Sequence, residues 1–424
     1  MTVSSTLSAT PPGTETTRLQ ARVYDSLESM EFLRPAWDKL LADVPTSSTF
    51  STWEWLAAWW RAFGQGQELR FVAFFDAREE LTGIAALAVK DHAVVRGCRL
   101  RLLRLMGDGS GDSDNLDLIA RPGFEDAVAD AFLQYLESSR RSWDFCALNT
   151  LPSYSPAAQS LLQRLQLRSW PYFTSQRHGC VIDLPGDWES YRKQLSYNER
   201  GQLGKYMRRL EREYKVRFYQ ATEPDLDSCL QSFFDLHQKR WVSQGEPGSF
   251  VSEARRSFYQ DISRSFLQRG WLQLWMLELN GVNVGAEYDF RWKETVYCLQ
   301  GGFDTAMGSG HIGYALRGYV LRQLIETGVA HYDFLAGRQS YKGRWGGRET
   351  TYLDLHFARP RTLGALYLRM KHESAHAKEW LRGQLPKSVW DVLRNVKAAG
   401  ESREKTSRSV SAATKESEQQ PPET

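Results

Sequence analysis

Glu287 and Asp289 stand two residues apart in an apolar, β-type run. A strand puts both carboxylates on one face and Tyr288 on the other. Paired acids of this kind suit general-base chemistry, taking the proton from an attacking amine or hydroxyl. His311, at the start of a helical pattern, is a third candidate base. Asp333 lies inside the apolar run HYDFL, where an unpaired charge is costly. It therefore needs a partner, and Lys342 or Arg344 can supply one. Tyr341, Lys342, Arg344 and Trp345 share one loop; aromatic faces suit sugars and a guanidinium suits phosphate.

Gly308-Ser309-Gly310-His311-Ile312-Gly313 precedes an amphipathic pattern with apolar residues at Ile312, Ala315, Leu316, Tyr319, Val320 and Leu324. A glycine turn opening a helix presents backbone N–H groups at the positive end of the helix dipole, a setting for a phosphate or pyrophosphate. The spelling matches the dinucleotide fingerprint, with Asp333 near the place of its ribose acid. The context argues against that reading. The glycines follow an antiparallel meander whose clearest turn is Asn280-Gly281. A dinucleotide-binding domain places them after its first parallel strand.

The elements that must position these groups fall into two α/β units. Residues 20–178 read as hairpin strands, helices and a tryptophan-rich helix over Trp53–Phe63. Gly107–Asn115, polar and acidic, lacks the spacing of a calcium loop and reads as an ordinary loop at a cleft rim. Residues 179–360 begin with a basic helical stretch, Arg192–Arg217, holding nine Lys/Arg against three acids. Helices, the meander, the glycine loop and a late strand follow. Residues 361–398 read as helices; residues 1–19 and 399–424 read as disordered.

A net charge of +3 over 424 residues does not by itself imply a nucleic-acid partner. The five cysteines show no metal or disulfide spacing, which fits buried thiols in a cytoplasmic protein. No metal site is expected, and no apolar run is long enough for an integral membrane segment. Neither a G-x-S-x-G elbow nor a Walker loop occurs, which disfavours serine hydrolases and P-loop enzymes.

Four stretches, in order, carry a resemblance: Phe50–Gly64, Gly301-Gly302-Phe303-Asp304, Tyr332–Gly337 and Tyr341–Gly346. Together they resemble the GNAT-superfamily acetyltransferases of the cellulose-biosynthesis type, relatives of the FemAB peptidyltransferases. The resemblance implies an α/β (α+β) fold of two tandem GNAT-like domains, each a mixed, largely antiparallel sheet flanked by helices. It implies an acyl-CoA donor, acetyl-CoA above all, gripped by the loop Asp304–His311, which lacks the family's Gln or Arg start. The implied activity is N- or O-acyl transfer to a sugar, polysaccharide precursor or small amine, in contact with an exopolysaccharide synthesis complex. Two alternatives stand beside it: aminoacyl-tRNA-dependent peptidyl transfer, and a non-catalytic partner of an exopolysaccharide machine. The absence of a heptad-patterned arm makes tRNA the less favoured partner.

Overall fold

A computed structural model describes residues 18–95, 97–307, 311–337 and 342–384. In chain order the first part comprises β1 (Gln20–Tyr24), α1 (Leu27–Met30), α2 (Arg34–Asp43), α3 (Trp53–Phe63), β2 (Gln67–Phe75), β3 (Leu81–Val95), β4 (Cys98–Leu105), β5 (Ile119–Ala120), α4 (Glu125–Ser138), β6 (Phe145–Pro152), α5 (Pro156–Leu167) and β7 (Tyr172–Asp183). The second comprises α6 (Trp188–Gln194), α7 (Tyr197–Glu213), β8 (Val216–Gln220), α8 (Leu226–Val242), α9 (Glu253–Gln268), β9 (Leu272–Leu279), β10 (Val282–Trp292), β11 (Thr295–Phe303), α10 (His311–Glu326), β12 (His331–Ala336), β13 (Arg348–Ala358) and α11 (Leu363–Gln384). Residues up to Ala365 form one compact unit, and α11 carries the chain into a second.

Local chemistry sets many of these boundaries. Thr52 caps α3 by accepting from the Trp55 N–H. Asn280 and Gly281 both adopt positive φ, 52° and 88°, as a type I′ turn requires. The basic stretch breaks into α6 and α7, because Ser196 caps a fresh helix by accepting from the Glu199 N–H. Three cysteines are buried, Cys298 is half-buried and Cys98 is exposed.

The long sheet runs β1-β2-β3-β4-β6-β13-β7-β12-β11-β10-β9-β8, with β5 paired to β3. Two of its pairings are parallel, β4 with β6 and β11 with β12. Each follows a meander and encloses a helix, α4 or α10, so the halves repeat one pattern. Their last strands are exchanged. β7 pairs with β12 of the later half, and β13 returns to pair with β6 of the earlier one. The division at 178/179 suggested by the sequence falls inside β7.

Helices α8 and α9 pack on one face of the β9–β11 meander and α10 on the other. Tyr288 points to the first, within 5.2 Å of Phe233 and 4.9 Å of Tyr259 by ring centroids. Trp55 of α3 meets Phe258 and Phe290 edge to face, at 5.0 and 5.4 Å, so the tryptophan helix bonds the two halves through aromatic contacts. Trp53, Trp55 and Trp59 are buried.

Asp117 is one cost of this packing. Its buried carboxyl meets the Leu118 N–H at 2.9 Å, while Oδ2 has no partner among the described residues. Burial pushes its pKa up to about 7. An acid raised in the folded state binds its proton more tightly there, so it stabilises the fold at low pH. That contribution is lost as pH rises from about 4 through 7. Asp117→Asn is expected to flatten the pH dependence of stability between pH 5 and 8. Urea titrations of both proteins at each pH check this; parallel curves would contradict it.

Candidate active site

Strands β11 and β12 are in register only over Thr295↔His331, Val296↔Tyr332 and Tyr297↔Asp333. Beyond that β11 runs on to Phe303 with no β12 partner. The sheet opens there into a cavity of about 210 Å³, lined among others by Glu287, Gly301, Gly313, Arg317, Arg344 and Trp345.

Glycines make the room. A Cβ on Gly302 would lie 2.3 Å from the His237 backbone nitrogen, so α8 rests directly on the strand. Side chains alternate across a strand, so Gly301 faces the opposite way, into the cavity. A Cβ there would meet only the Ala286 carbonyl oxygen, at an ordinary 3.6 Å. Arg240 of α8 fixes this segment by donating to the Gly301 carbonyl at 2.9 Å. On the far wall Trp345 packs over Tyr314, with ring centroids 4.5 Å apart. Tyr191 donates to the Trp345 carbonyl at 3.0 Å, and the Tyr314 hydroxyl donates to Glu199 of α7.

Behind the cavity lies a buried charged cluster. Arg317 Nε donates to Glu287 Oε2 at 2.8 Å, and Tyr332 donates to Glu287 Oε1 at 2.5 Å. Asp289 is fully buried, and neither of its oxygens has a hydrogen-bond partner among the described residues. Burial first, then the Glu287 charge, push its pKa well above the usual carboxylate range. Within the cluster Glu287 takes the Arg317 guanidinium, and Asp289 has no counter-charge of its own within ion-pair distance among the described residues. Glu287, Asp289 and Cys298 bring ligand atoms within 4.8 Å of one another, but Arg317 already supplies the counter-charge there.

The candidates from the sequence separate into groups. Glu287, Gly313, Arg344 and Trp345 meet at the cavity. Asp289 shares the face of Glu287, as expected, yet lies beneath the wall; a fully buried acid is not a free base. Ile312 is also buried, its side chain packed into the core beside α10. His311 begins α10; its side chain, with Gly308, Ser309, Gly310 and Tyr341, lies outside the described residues. So do the expected disordered ends and the second late helix.

Asp333 is buried as predicted, but Lys342 and Arg344 do not pair with it. Its carboxylate accepts the Leu335 N–H at 2.7 Å and the Tyr352 hydroxyl at 3.5 Å. Burial pushes its pKa up to about 6. Lys342 instead donates to the carbonyls of Phe334, Leu335 and Ala336, at 2.9, 3.2 and 3.2 Å. A bulge interrupts the β12–β7 register between Asp333 and Ala336, with Leu335 at φ 61°, and the ammonium serves carbonyls at that irregularity. Arg344 reaches Glu199 at 3.9 Å.

Arg240, Arg317 and Tyr332 are among the site residues that sequence reasoning missed. For Arg317, an arginine next to the apolar stripe of α10, with two acids in an apolar strand to answer it, was the available signal. The basic helix is partly neutralised: Arg209 and Arg212 both pair with Glu213. Arg200, Lys205 and Arg208 line a separate groove on α7 with Tyr197, which is 83% exposed.

Residues 198–343 match the family model described as an acetyltransferase (GNAT) domain. Comparison with curated protein sequences finds no match. Among solved structures the chain is similar to FemX, at 11% identity and TM-score 0.56, over 79% of this chain and 96% of that one. It is also similar to a conserved protein of unknown function from Bacteroides thetaiotaomicron, at 9% identity and TM-score 0.50, over 80% and 100%. A tandem GNAT protein from the clavulanic acid biosynthesis pathway aligns at 12% identity and TM-score 0.43, over 81% and 99%. The fold is mixed α/β, a large, mostly antiparallel sheet flanked by helices. No helix among the described residues is long and apolar enough to cross a membrane.

Proposed function

We propose that this protein is an acyl-CoA-dependent N- or O-acyltransferase, with acetyl-CoA as donor, built from two GNAT-like halves divided near residue 178. The observation that carries the reading is the splayed cavity at Gly301, whose lining residues, apart from Arg344 and Trp345, belong to the segment matching the GNAT domain. Arg240 and Arg344 give the cavity wall positive charge for phosphates. The N–H groups at the start of α10 add the favourable end of a dipole. The donor thioester supplies the electrophilic carbonyl. The chain's own part is to hold that group, exclude water and orient the acceptor. Glu287 is the carboxylate at the cavity, and Arg317 and Tyr332 fix its direction.

This assignment predicts that purified protein retains CoA or an acyl-CoA, visible by mass spectrometry of the denatured sample. It also predicts that added acetyl-CoA raises the melting temperature. No retained nucleotide and no shift with any acyl-CoA would overturn it.

A second reading, aminoacyl-tRNA-dependent transfer, is favoured by the FemX-like fold over most of the chain and by the exposed basic groove of α7. It brings tRNA back as a partner, against the weight given it from the sequence. Salt-sensitive tRNA binding, lost on charge reversal of Arg200 and Arg208, would select it. Affiliation with the cellulose-biosynthesis type rests on the sequence motifs alone, and an exopolysaccharide complex has no support in the fold likeness.

A further inference from the structure

A second cleft, of about 740 Å³, opens beside the end of β12. Asp108, Asp114, Thr150, Gln176, Arg177 and Gly337 are among the residues that line it. Its loop, expected to be an ordinary rim, is pinned from below. The buried Asp112 carboxylate accepts from Arg255 Nε at 3.0 Å and from the Tyr259 hydroxyl at 3.1 Å, both on α9. Trp55 Nε1 donates to Ser113 Oγ at 3.0 Å, and Ser48 donates to the Asn115 carbonyl at 3.2 Å. Gly107, Gly109 and Gly111 all take positive φ so that the loop can fold back.

Thr150 is a second, independent sign. It is a β-branched residue at φ 57°, a conformation that stores strain and gathers at functional sites. It is 5% exposed and lines the cleft, and its hydroxyl has no hydrogen-bond partner among the described residues. Leu335, also at positive φ, precedes the Ala336 and Gly337 wall.

The charges indicate what would fit. The guanidinium of the cleft is already answered: Arg177 Nε meets Asp354 Oδ2 at 2.7 Å, and the neighbouring His178 ring lies against Glu349. The two loop carboxylates are not. Asp108 accepts from the neutral Asn149 amide at 2.9 Å, and Asp114 from the Ala336 N–H at 3.2 Å. Among the described residues neither forms an ion pair within 4.0 Å. Burial raises the pKa of both acids, against a weaker opposing pull from Arg104 and Arg177 on Asp108 and from Lys342 and Arg177 on Asp114, none of them within ion-pair distance. An anionic ligand would meet two acids that no cation bonds directly, whereas an ammonium would complete them.

We propose that this cleft binds a polar primary amine of about sugar size, held through Asp108 and Asp114 with the Thr150 hydroxyl in reach, and that this amine is the acyl acceptor. The acceptor role rests on the acyltransferase reading; the amine selectivity does not. Both cavities open where β12 ends, since Ala336 and Gly337 wall the cleft and the following turn, Lys342–Trp345, walls the donor cavity. In the transfer, one ammonium proton passes to a cleft carboxylate. The amine nitrogen then forms the new C–N bond as the C–S bond of an acyl thioester breaks, and the departing thiolate takes up a proton.

Calorimetric titration with D-glucosamine, and with D-glucose as its uncharged counterpart, tests the site on the full chain. Glucosamine is expected to bind at least tenfold more tightly. Asp108→Asn with Asp114→Asn should remove that preference while acetyl-CoA affinity is unchanged. Gln176→Arg, at an exposed cleft position, should weaken glucosamine binding as well, and it covers the case in which the double variant does not fold. Equal binding of the two sugars, or full glucosamine affinity in the variants, would overturn the proposal. Loss of acetyl-CoA binding alone, with glucosamine selectivity intact, would strike the acyltransferase reading and leave the amine site standing.

Discussion

Replacing Arg317 by methionine is expected to destabilise the protein by about 3–5 kcal/mol, the cost of leaving a buried carboxylate without its cation. Glu287 is 2% exposed, and Arg317 faces it from α10 at 2.8 Å. No other basic side chain forms an ion pair with this carboxylate among the described residues. Adding Glu287→Gln to Arg317→Met should restore most of the loss, because the uncompensated charge disappears with its partner. Chemical denaturation of the two single variants and the double variant gives the coupling energy directly. A cost below about 1 kcal/mol for Arg317→Met would mean that the pair does not hold α10 against β10.

The second large effect separates two adjacent glycines. Gly302→Ala drives a methyl group to within 2.3 Å of the α8 backbone at His237, and a helix backbone yields poorly. It is expected to cost roughly 1–3 kcal/mol or more in stability. Gly301→Leu meets only the Ala286 carbonyl, at 3.6 Å from its Cβ, and its side chain projects into the empty cavity. That protein should fold normally and fail to bind the donor. Thermal melts and donor titrations of the pair distinguish the faces. Normal stability in Gly302→Ala, or normal donor affinity in Gly301→Leu, would contradict the assignment of faces.

Features that depend on near neighbours were legible in the sequence. Asn280-Gly281 announced its hairpin, the period of α10 announced its buried face, and the spacing of Glu287 and Asp289 put them on one side of β10. Pairings between distant segments were not. Nothing local states that β13 returns past β12 and β7 to join β6, or that β7, the strand running through residue 178, pairs with β12. For the same reason Asp333 was matched with nearby Lys342. The carboxylate turned to its own bulged backbone and to Tyr352 instead, and the ammonium served carbonyls at that irregularity. The acidic loop at residues 107–115 does line a cleft, but its anchors, Arg255 and Tyr259, lie more than a hundred residues away in sequence, where no local pattern shows them. Composition alone described it as an ordinary flexible loop.

The central claim, that the opening between β11 and β12 holds an acyl donor, is tested most directly by equilibrium binding of acetyl-CoA to the unaltered protein and to Gly301→Leu at matched thermal stability. Saturable binding by the first, weakened at least tenfold in the second, is the predicted result. Binding that is equal in the two proteins, or absent from both, would contradict it.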